Sequence, residues 1–332
     1  MNPLPSSGSI SIAGRSPDLE AETIEVVVTL PTFKRPRQVL ETLESLRRQK
    51  TTRRFAVIVM ENEAETREGA QATLPLFERG DLAGLVIIAH ERGNCCAYNA
   101  GWQTAILQFP NFRHLIVIDD DETAAPDWLE TMCRAAETLQ ADIVGAPQVP
   151  VFSNPVHAGW NQHPVFAPPY RQSGLVQALY SSGNLLISRK VLMTMEQPFL
   201  DLKFNFTGGG DSDFLSRAKQ KGFRLGWCAE AKVFETVPPR RVEADWIRAR
   251  SLRNGALSTL VEKKKRAGTP FARTKVLLKS LALLTASPVR ALLRLLRTGS
   301  PAIASYPIYV AIGRLASEFG YANEQYRQPE KN

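Results

Sequence analysis

Disulfide frameworks, zinc ribbons and secretion signals are all missing from this chain. Only four cysteines occur in 332 residues, Cys95, Cys96, Cys133 and Cys228, and they show neither a framework's regular spacing nor the paired spacing of a zinc site. A reducing cytosol is the expected compartment. The first ~20 residues are rich in Ser, Pro and Gly and lack the basic-then-apolar order of a signal peptide, so residues 1–22 are expected to form a flexible tail. A long uncharged run is missing too. The longest towards the C-terminus, Thr298 to Gly313, carries Pro301 and Pro307 and falls short of the ~20 apolar residues that a spanning helix needs. No membrane-crossing segment is expected, and no internal repeat is visible.

Positive charge, by contrast, is plentiful and uneven. The formal net charge is +8, but residues 240–300 hold fifteen Lys/Arg against three Asp/Glu, or +12, which leaves −4 for the remainder. One end of the chain is therefore expected to meet an anionic partner. That segment lacks the interleaved aromatics that stack single-stranded nucleic acid, which favours an anionic membrane surface over nucleic acid. Arg290, Arg294 and Arg297 fall on one helical stripe while Leu292, Leu293, Leu295 and Leu296 occupy other faces. This is the pattern of an interfacial helix, although a helical cap packed on a larger domain would carry the same leucines.

Short β-branched runs alternate with helical periodicity along the first half. Ile24–Leu30, Phe55–Met60, Leu85–Ile88 and Leu115–Ile118 predict strands, with helices after Pro36 and near 66–78 and 97–108. Such alternation predicts an α/β fold with a mostly parallel sheet flanked by helices. Further helices are expected at 126–139 and 211–221, and strands at 142–145, 223–228 and 231–234. Residues 146–174, dense in Pro, Asn, Gln, His and aromatics, predict a long loop that shapes an acceptor pocket. From Val242 onward the pattern is helical.

The chemistry concentrates where Ile116–Ile118 runs into Asp119-Asp120-Asp121-Glu122. Carboxylates at the carboxyl end of a buried strand lie where open α/β sheets bind ligands. Asp119 and Asp121, one residue apart, can face one Mg²⁺ or Mn²⁺ that also holds a diphosphate, with Asp120 towards a ribose and Glu122 capping the loop. A solvated turn would read the same way. Leu30-Pro31-Thr32-Phe33-Lys34-Arg35-Pro36 could hold a nucleobase with its amides and aromatic ring, or be a plain strand-to-helix turn. Glu61, ending the second strand with Asn62, could accept a hydrogen bond from a base. Asp211, after Gly208-Gly209-Gly210, could take the proton of an attacking hydroxyl, with Asp213 in reserve; an N-cap worth ~1 kcal/mol is the alternative.

Over roughly residues 24–255 this order of motifs resembles family 2 glycosyltransferases of the GT-A fold, and within them the succinoglycan-type exopolysaccharide glucosyltransferases. Thr29–Pro36 is similar to the family's nucleotide-binding opening, Ile118–Glu122 to its aspartate motif, and Gly209–Phe214 to its glycine-glutamate-aspartate segment, whose aspartate serves as base. Asp127-Trp128-Leu129 and Val233–Pro238 carry the narrower likeness. The resemblance implies a GT-A catalytic domain over 23–255, with a nucleotide-binding half (23–122) and an acceptor half (123–255), followed by a basic amphipathic helical extension (256–332). It implies single, inverting transfer of a hexose from a nucleotide-diphosphate sugar, UDP-linked, to a lipid-linked glycan at the cytoplasmic face of the membrane. Pro31, Thr32, Phe33, Arg35, Glu61, Asn99, Asp119 and Asp120 would bind the nucleotide, Asp121 and Asp119 the metal, and Asn184 and Trp160 the acceptor. Three positions depart from the pattern. Tyr98 replaces an arginine, Gly210 the glutamate before the aspartate, and Phe234 a histidine that often helps bind metal, with Glu235 as a substitute oxygen ligand. Asp245-Trp246-Ile247-Arg248 does not match the processive synthases. A non-catalytic nucleotide-sugar-binding or scaffold protein is the alternative that these departures raise.

Overall fold

The β-branched runs fold into the middle of a large mixed sheet in the computed structural model, which describes residues 9–321 and Arg327. The strands are β1 (Ile10–Arg15), β2 (Val26–Thr32), β3 (Phe55–Glu61), β4 (Gly84–Ala89), β5 (His114–Ile118), β6 (Glu122–Ala124), β7 (Ile143–Gly145), β8 (Gln148–Phe152), β9 (Gly174–Val176), β10 (Asn184–Ser188), β11 (Leu225–Trp227) and β12 (Val233–Val237). The helices are α1 (Pro36–Arg47), α2 (Glu68–Glu78), α3 (Asn94–Gln108), α4 (Trp128–Leu139), α5 (Arg189–Thr194), α6 (Gly210–Gln220), α7 (Ala244–Lys265), α8 (Ala272–Thr298) and α9 (Pro301–Glu318).

The nine-stranded sheet runs β1-β4-β3-β2-β5-β10-β7-β11-β9. Its strands β4-β3-β2-β5 are parallel as expected, with Val26 paired to both Phe55 and His114 and Val57 to Gly84. Val28, Leu30, Val57, Val59, Ile116 and Ile118 are buried in one core cluster, and Val27, Ile58 and Val117 on the opposite face are buried too, so these strands read as continuous apolar runs because both of their faces are covered. Beyond β5 the sheet turns mixed: β10 is antiparallel to β5 and β7, and β11 is parallel to β7. The parallel core brings the ends of β2, β3 and β5 to one edge, where Thr32, Glu61 and Asp119 emerge.

Three expectations are corrected. Ile10–Arg15 is not a flexible tail but an edge strand antiparallel to β4, from Ile10 opposite Ala89 to Arg15 opposite Leu85. A short Ile-Ser-Ile alternation was outweighed by its Ser/Pro/Gly-rich surroundings. The 146–174 segment contains β8 and a 3₁₀ turn at Pro155–Gln162, so it is not one loop. The chain divides into two compact units, one comprising residues up to Val149, Tyr170–Phe206 and Gly210–Glu235, the other Pro150–Pro169, Thr207–Gly209 and everything from Thr236. The expected boundary at 255/256 falls inside α7, which Gly255 allows to approach α9 closely: a side chain there would meet the Val310 carbonyl at 2.1 Å.

In the second unit, α8 is the one helix among the described residues that is long and apolar enough, by length and composition alone, to cross a membrane. Its isolated charges interrupt every uncharged run, so no continuous apolar stretch marks it in the sequence. Most of its leucines face outward, Leu296 being 75% exposed. All four cysteines are buried and unpaired.

Candidate active site

At the end of β5 the chain turns sharply, the Glu122 amide donating to the Asp119 carbonyl at 3.2 Å. Exposure then alternates. Asp119 and Asp121 are partly open, while Asp120 (6%) and Glu122 (0%) are buried. Glu122 holds the turn: one carboxylate oxygen accepts from the Asp119 amide at 2.9 Å, the other from Gln148 Nε2, and its carbonyl accepts from Thr42 Oγ1.

These carboxylates are crowded away from water. Burial, then the charge of Asp121, with Asp120 and Glu235 adding to it, pushes Asp119 up to about 7. Burial likewise raises Asp120 to about 6 against the pull of Arg35, and lifts Glu122 well above the carboxylate range together with Asp119, Asp121 and Glu235. Arg35, from the turn between β2 and α1, donates through Nη1 to Asp120 Oδ1 at 2.9 Å and Asp121 Oδ2 at 3.0 Å. Burial opposes its charge, but the two aspartates outweigh burial and raise its pKa. Glu235 joins from β12, opposite Glu122 in register, whereas Phe234 opposite Thr123 faces the other way by strand alternation. Among the described residues no three acidic, His or Cys side chains are arranged to hold a metal alone. The donor set nonetheless fits Mg²⁺ or Mn²⁺ at a diphosphate, where one or two carboxylates suffice and phosphate oxygens and water complete the shell.

Two features escaped sequence reasoning. The Tyr98 hydroxyl, from α3, donates to Asp119 Oδ1 in a short contact and also bonds Ser182. Gly183 packs so closely that a side chain there would meet Asp119 Oδ2 at 2.8 Å. Segment 180–184 also reaches the start of α6, where Ser212 Oγ donates to the Tyr180 carbonyl. One short segment thus touches both the acidic turn and the helix start that carries Asp211. Only the departure of Tyr98 from the family pattern hinted at this in the sequence.

Asp211 is partly exposed, with Oδ1 accepting from the Ser212 amide at 2.7 Å. Asp213 is buried against Arg217 Nε at 2.8 Å, so the reserve base is corrected to an ion-pair partner. Gly210 has no room for the family's glutamate, since even a Cβ would lie 2.7 Å from Cys95 Sγ.

Several expected ligands are corrected to scaffold. Glu61 is fully buried, and its carboxylate accepts from the amides of Glu63 and Ala70 at the start of α2, out of reach of a base. Asn99 exchanges two hydrogen bonds with the Leu200 backbone. Asn184 accepts from Trp128 Nε1 and donates to the carbonyls of Pro147 and Ala231, which locks β10 to its surroundings rather than lining a pocket. The buried Thr32 hydroxyl donates to Asp120 Oδ2 at 2.9 Å, so the two residues brace each other. Each was misread because a polar residue at a strand end or beside an expected pocket looks the same whether it serves backbone or ligand. Pro31 and Phe33 are partly exposed, and Arg92 lies 5.0 Å from the Phe33 ring centroid. Trp160 belongs to the second unit, 5.5 Å from the His163 ring.

Comparison with known proteins addresses the fold and the family. Residues 27–195 match the family described as Glycosyl transferase family 2. The chain is 28% identical over 246 residues, 70% of its length and 74% of the relative's, to the succinoglycan biosynthesis protein ExoM of Rhizobium meliloti (strain 1021). Among solved structures, the mannosyltransferase PcManGT of Pyrobaculum calidifontis, in complex with GDP-Man and Mn²⁺, aligns with a TM-score of 0.56 at 18% identity over 90% of both chains. S. aureus TarS 1–349 in complex with UDP aligns at 0.52 and 13% identity over 92% of both. At such identities these two speak for the fold alone, whereas the family match covers just over half of the chain. The chain therefore belongs to glycosyl transferase family 2, a glycosyltransferase on the GT-A fold.

Proposed function

We propose that this protein transfers one hexose, with inversion, from a UDP-linked sugar to a lipid-linked oligosaccharide or related glycan during polysaccharide biosynthesis. The observation that carries the reading is the crowding of Asp119, Asp121 and Glu235 at the carboxyl end of β5, linked through segment 180–184 to the helix start bearing Asp211. The complexes of PcManGT with GDP-Man and TarS with UDP, and the role in ExoM's name, support a nucleotide-sugar donor and a polysaccharide product.

In this reading Asp119 and Asp121, assisted by Glu235, hold Mg²⁺ or Mn²⁺. Bound there, the ion supplies positive charge to the departing nucleoside diphosphate. Tyr98 orients the Asp119 carboxylate, and Arg35 adds a fixed guanidinium beside the diphosphate. Phe33, with Arg92 5.0 Å from its ring centroid, marks the end that takes the base. Asp211, the partly exposed carboxylate, accepts the proton as the acceptor hydroxyl attacks the anomeric carbon. The outward leucines of α8, next to lysines and arginines, hold the second unit on the anionic cytoplasmic face of the membrane.

Uridine, guanosine and thymidine diphosphate sugars, screened with and without Mn²⁺, test this. One donor is expected to raise the melting temperature and to be hydrolysed slowly, in both cases only with metal. If no nucleotide sugar binds or is hydrolysed, the scaffold reading replaces it.

A further inference from the structure

Within the second unit, α8 and α9 enclose a small recess lined by Arg290, Arg294, Arg314, Tyr306, Leu283 and Val310, among others. Three guanidinium groups around one hollow is an unusual concentration of like charge, and two of them are not fully satisfied. Arg314 is 4% exposed; Nη1 donates to Ser258 and Nη2 to Glu262, while its buried Nε has no hydrogen-bond partner among the described residues. Arg294 Nη1 is likewise buried without one, its guanidinium stacked 5.4 Å from the Tyr306 ring centroid. No carboxylate among the described residues pairs with Arg290 or Arg294. Burial, and the neighbouring charge of Arg290, depress the Arg294 pKa.

Buried donors without acceptors call for an explanation, and forked N–H groups around a hollow match the oxygens of a phosphoryl group. The surroundings identify what carries that group. Val289, Leu293 and Leu296, spaced by four and three residues, continue outward along α8 and are all exposed. A free anion would leave that stripe unused, whereas a hydrocarbon chain would cover it.

We propose that this recess binds a phosphoryl group attached to a hydrocarbon chain, Arg290 and Arg294 taking the phosphate oxygens and the stripe through Val289, Leu293 and Leu296 taking the chain. The proposal rests on the membrane-surface part of the reading above and is independent of donor chemistry.

Titration calorimetry of the full-length protein with dihexanoyl phosphatidic acid, a soluble lipid, and with inorganic phosphate tests the site. Saturable lipid binding is expected, weakened about tenfold or more by Arg290→Gln, which removes an exposed side chain, and less by Arg294→Lys, which keeps charge but loses the fork. Inorganic phosphate should bind at least about tenfold more weakly than the lipid. Equal binding of both would make this a free-phosphate site and overturn the lipid assignment; absence of saturable binding, or indifference to both substitutions, would overturn the site itself. Sedimentation with phosphatidylcholine vesicles, with and without phosphatidic acid, separates the site from the surface. Leu293→Ser/Leu296→Ser should lose vesicle binding while its phosphate-binding arginines remain, and vesicle binding that survives the loss of the soluble-lipid site would leave the surface reading standing alone.

Discussion

The acidic turn after β5 and the arginine recess of α8 and α9 pose the same electrostatic problem with opposite signs, and the protein handles them differently. In the turn, like charges are held by neutral donors, with Tyr98 on Asp119, Thr32 on Asp120 and Gln148 on Glu122, and by one guanidinium, Arg35. In the recess, one carboxylate, Glu262, serves Arg266, Lys279 and Arg314, and the arginines beyond it have no carboxylate partner among the described residues. The turn is thus held in place by its own hydrogen bonds, while the helices leave fixed positive charge beside apolar surface. Preorganised carboxylates suit chemistry, and an open basic face suits docking.

The largest expected effect separates two aspartates that are two residues apart. Asp211→Asn should lower transfer by ~10²–10⁴-fold with the melting temperature unchanged. Asp213→Asn should instead lower stability, because it strips Arg217 of its buried partner. On the basic side, Glu262→Gln leaves the buried Arg314 uncompensated and should cost about 3 kcal/mol in urea unfolding. Gly210→Ala forces a methyl against Cys95 Sγ and should cost ~1–3 kcal/mol, of which the double variant with Cys95→Gly should recover most.

In pH dependence the two signs act in opposite directions. Burial lowers His114 to about 4 from its ordinary 6.5, so the native state holds fewer protons than the unfolded chain between those values and stability is lost as pH falls through them. Asp119, raised from 3.8 to about 7, holds more protons when folded, so its contribution is lost as pH rises through that window without metal. His114→Gln should flatten the acid limb of a melting-temperature profile, and Asp119→Asn the neutral limb.

The parallel half of the sheet was legible because each strand is a buried β-branched run bounded by helical periodicity, and β2, β3 and β5 each appear within two residues of their expected ends. The place of the acidic run at a strand's carboxyl end was legible because the apolar run of β5 stops at Ile118, immediately before it. Roles that depend on distant partners were not. Tyr98 meets Asp119 across twenty-one residues, and Asn99 and Asn184 are saturated by backbone groups far along the chain. The glutamate missing at Gly210 reads as a lost catalytic group in sequence, and only the position of Cys95 reveals it as a packing exchange. β1 was hidden by composition, since six strand residues within twenty Ser/Pro/Gly-rich ones do not shift an average.

The central claim is that Asp119 and Asp121 join a divalent cation to the donor's diphosphate. Titration calorimetry of UDP into the full-length protein, with and without Mn²⁺, tests it most directly when repeated on Asp121→Asn. Binding about tenfold or more tighter with Mn²⁺ in the native protein, and equal with and without Mn²⁺ in the variant, is the expected result. UDP binding that ignores Mn²⁺ in the native protein, or that keeps its metal dependence in Asp121→Asn, would contradict the account.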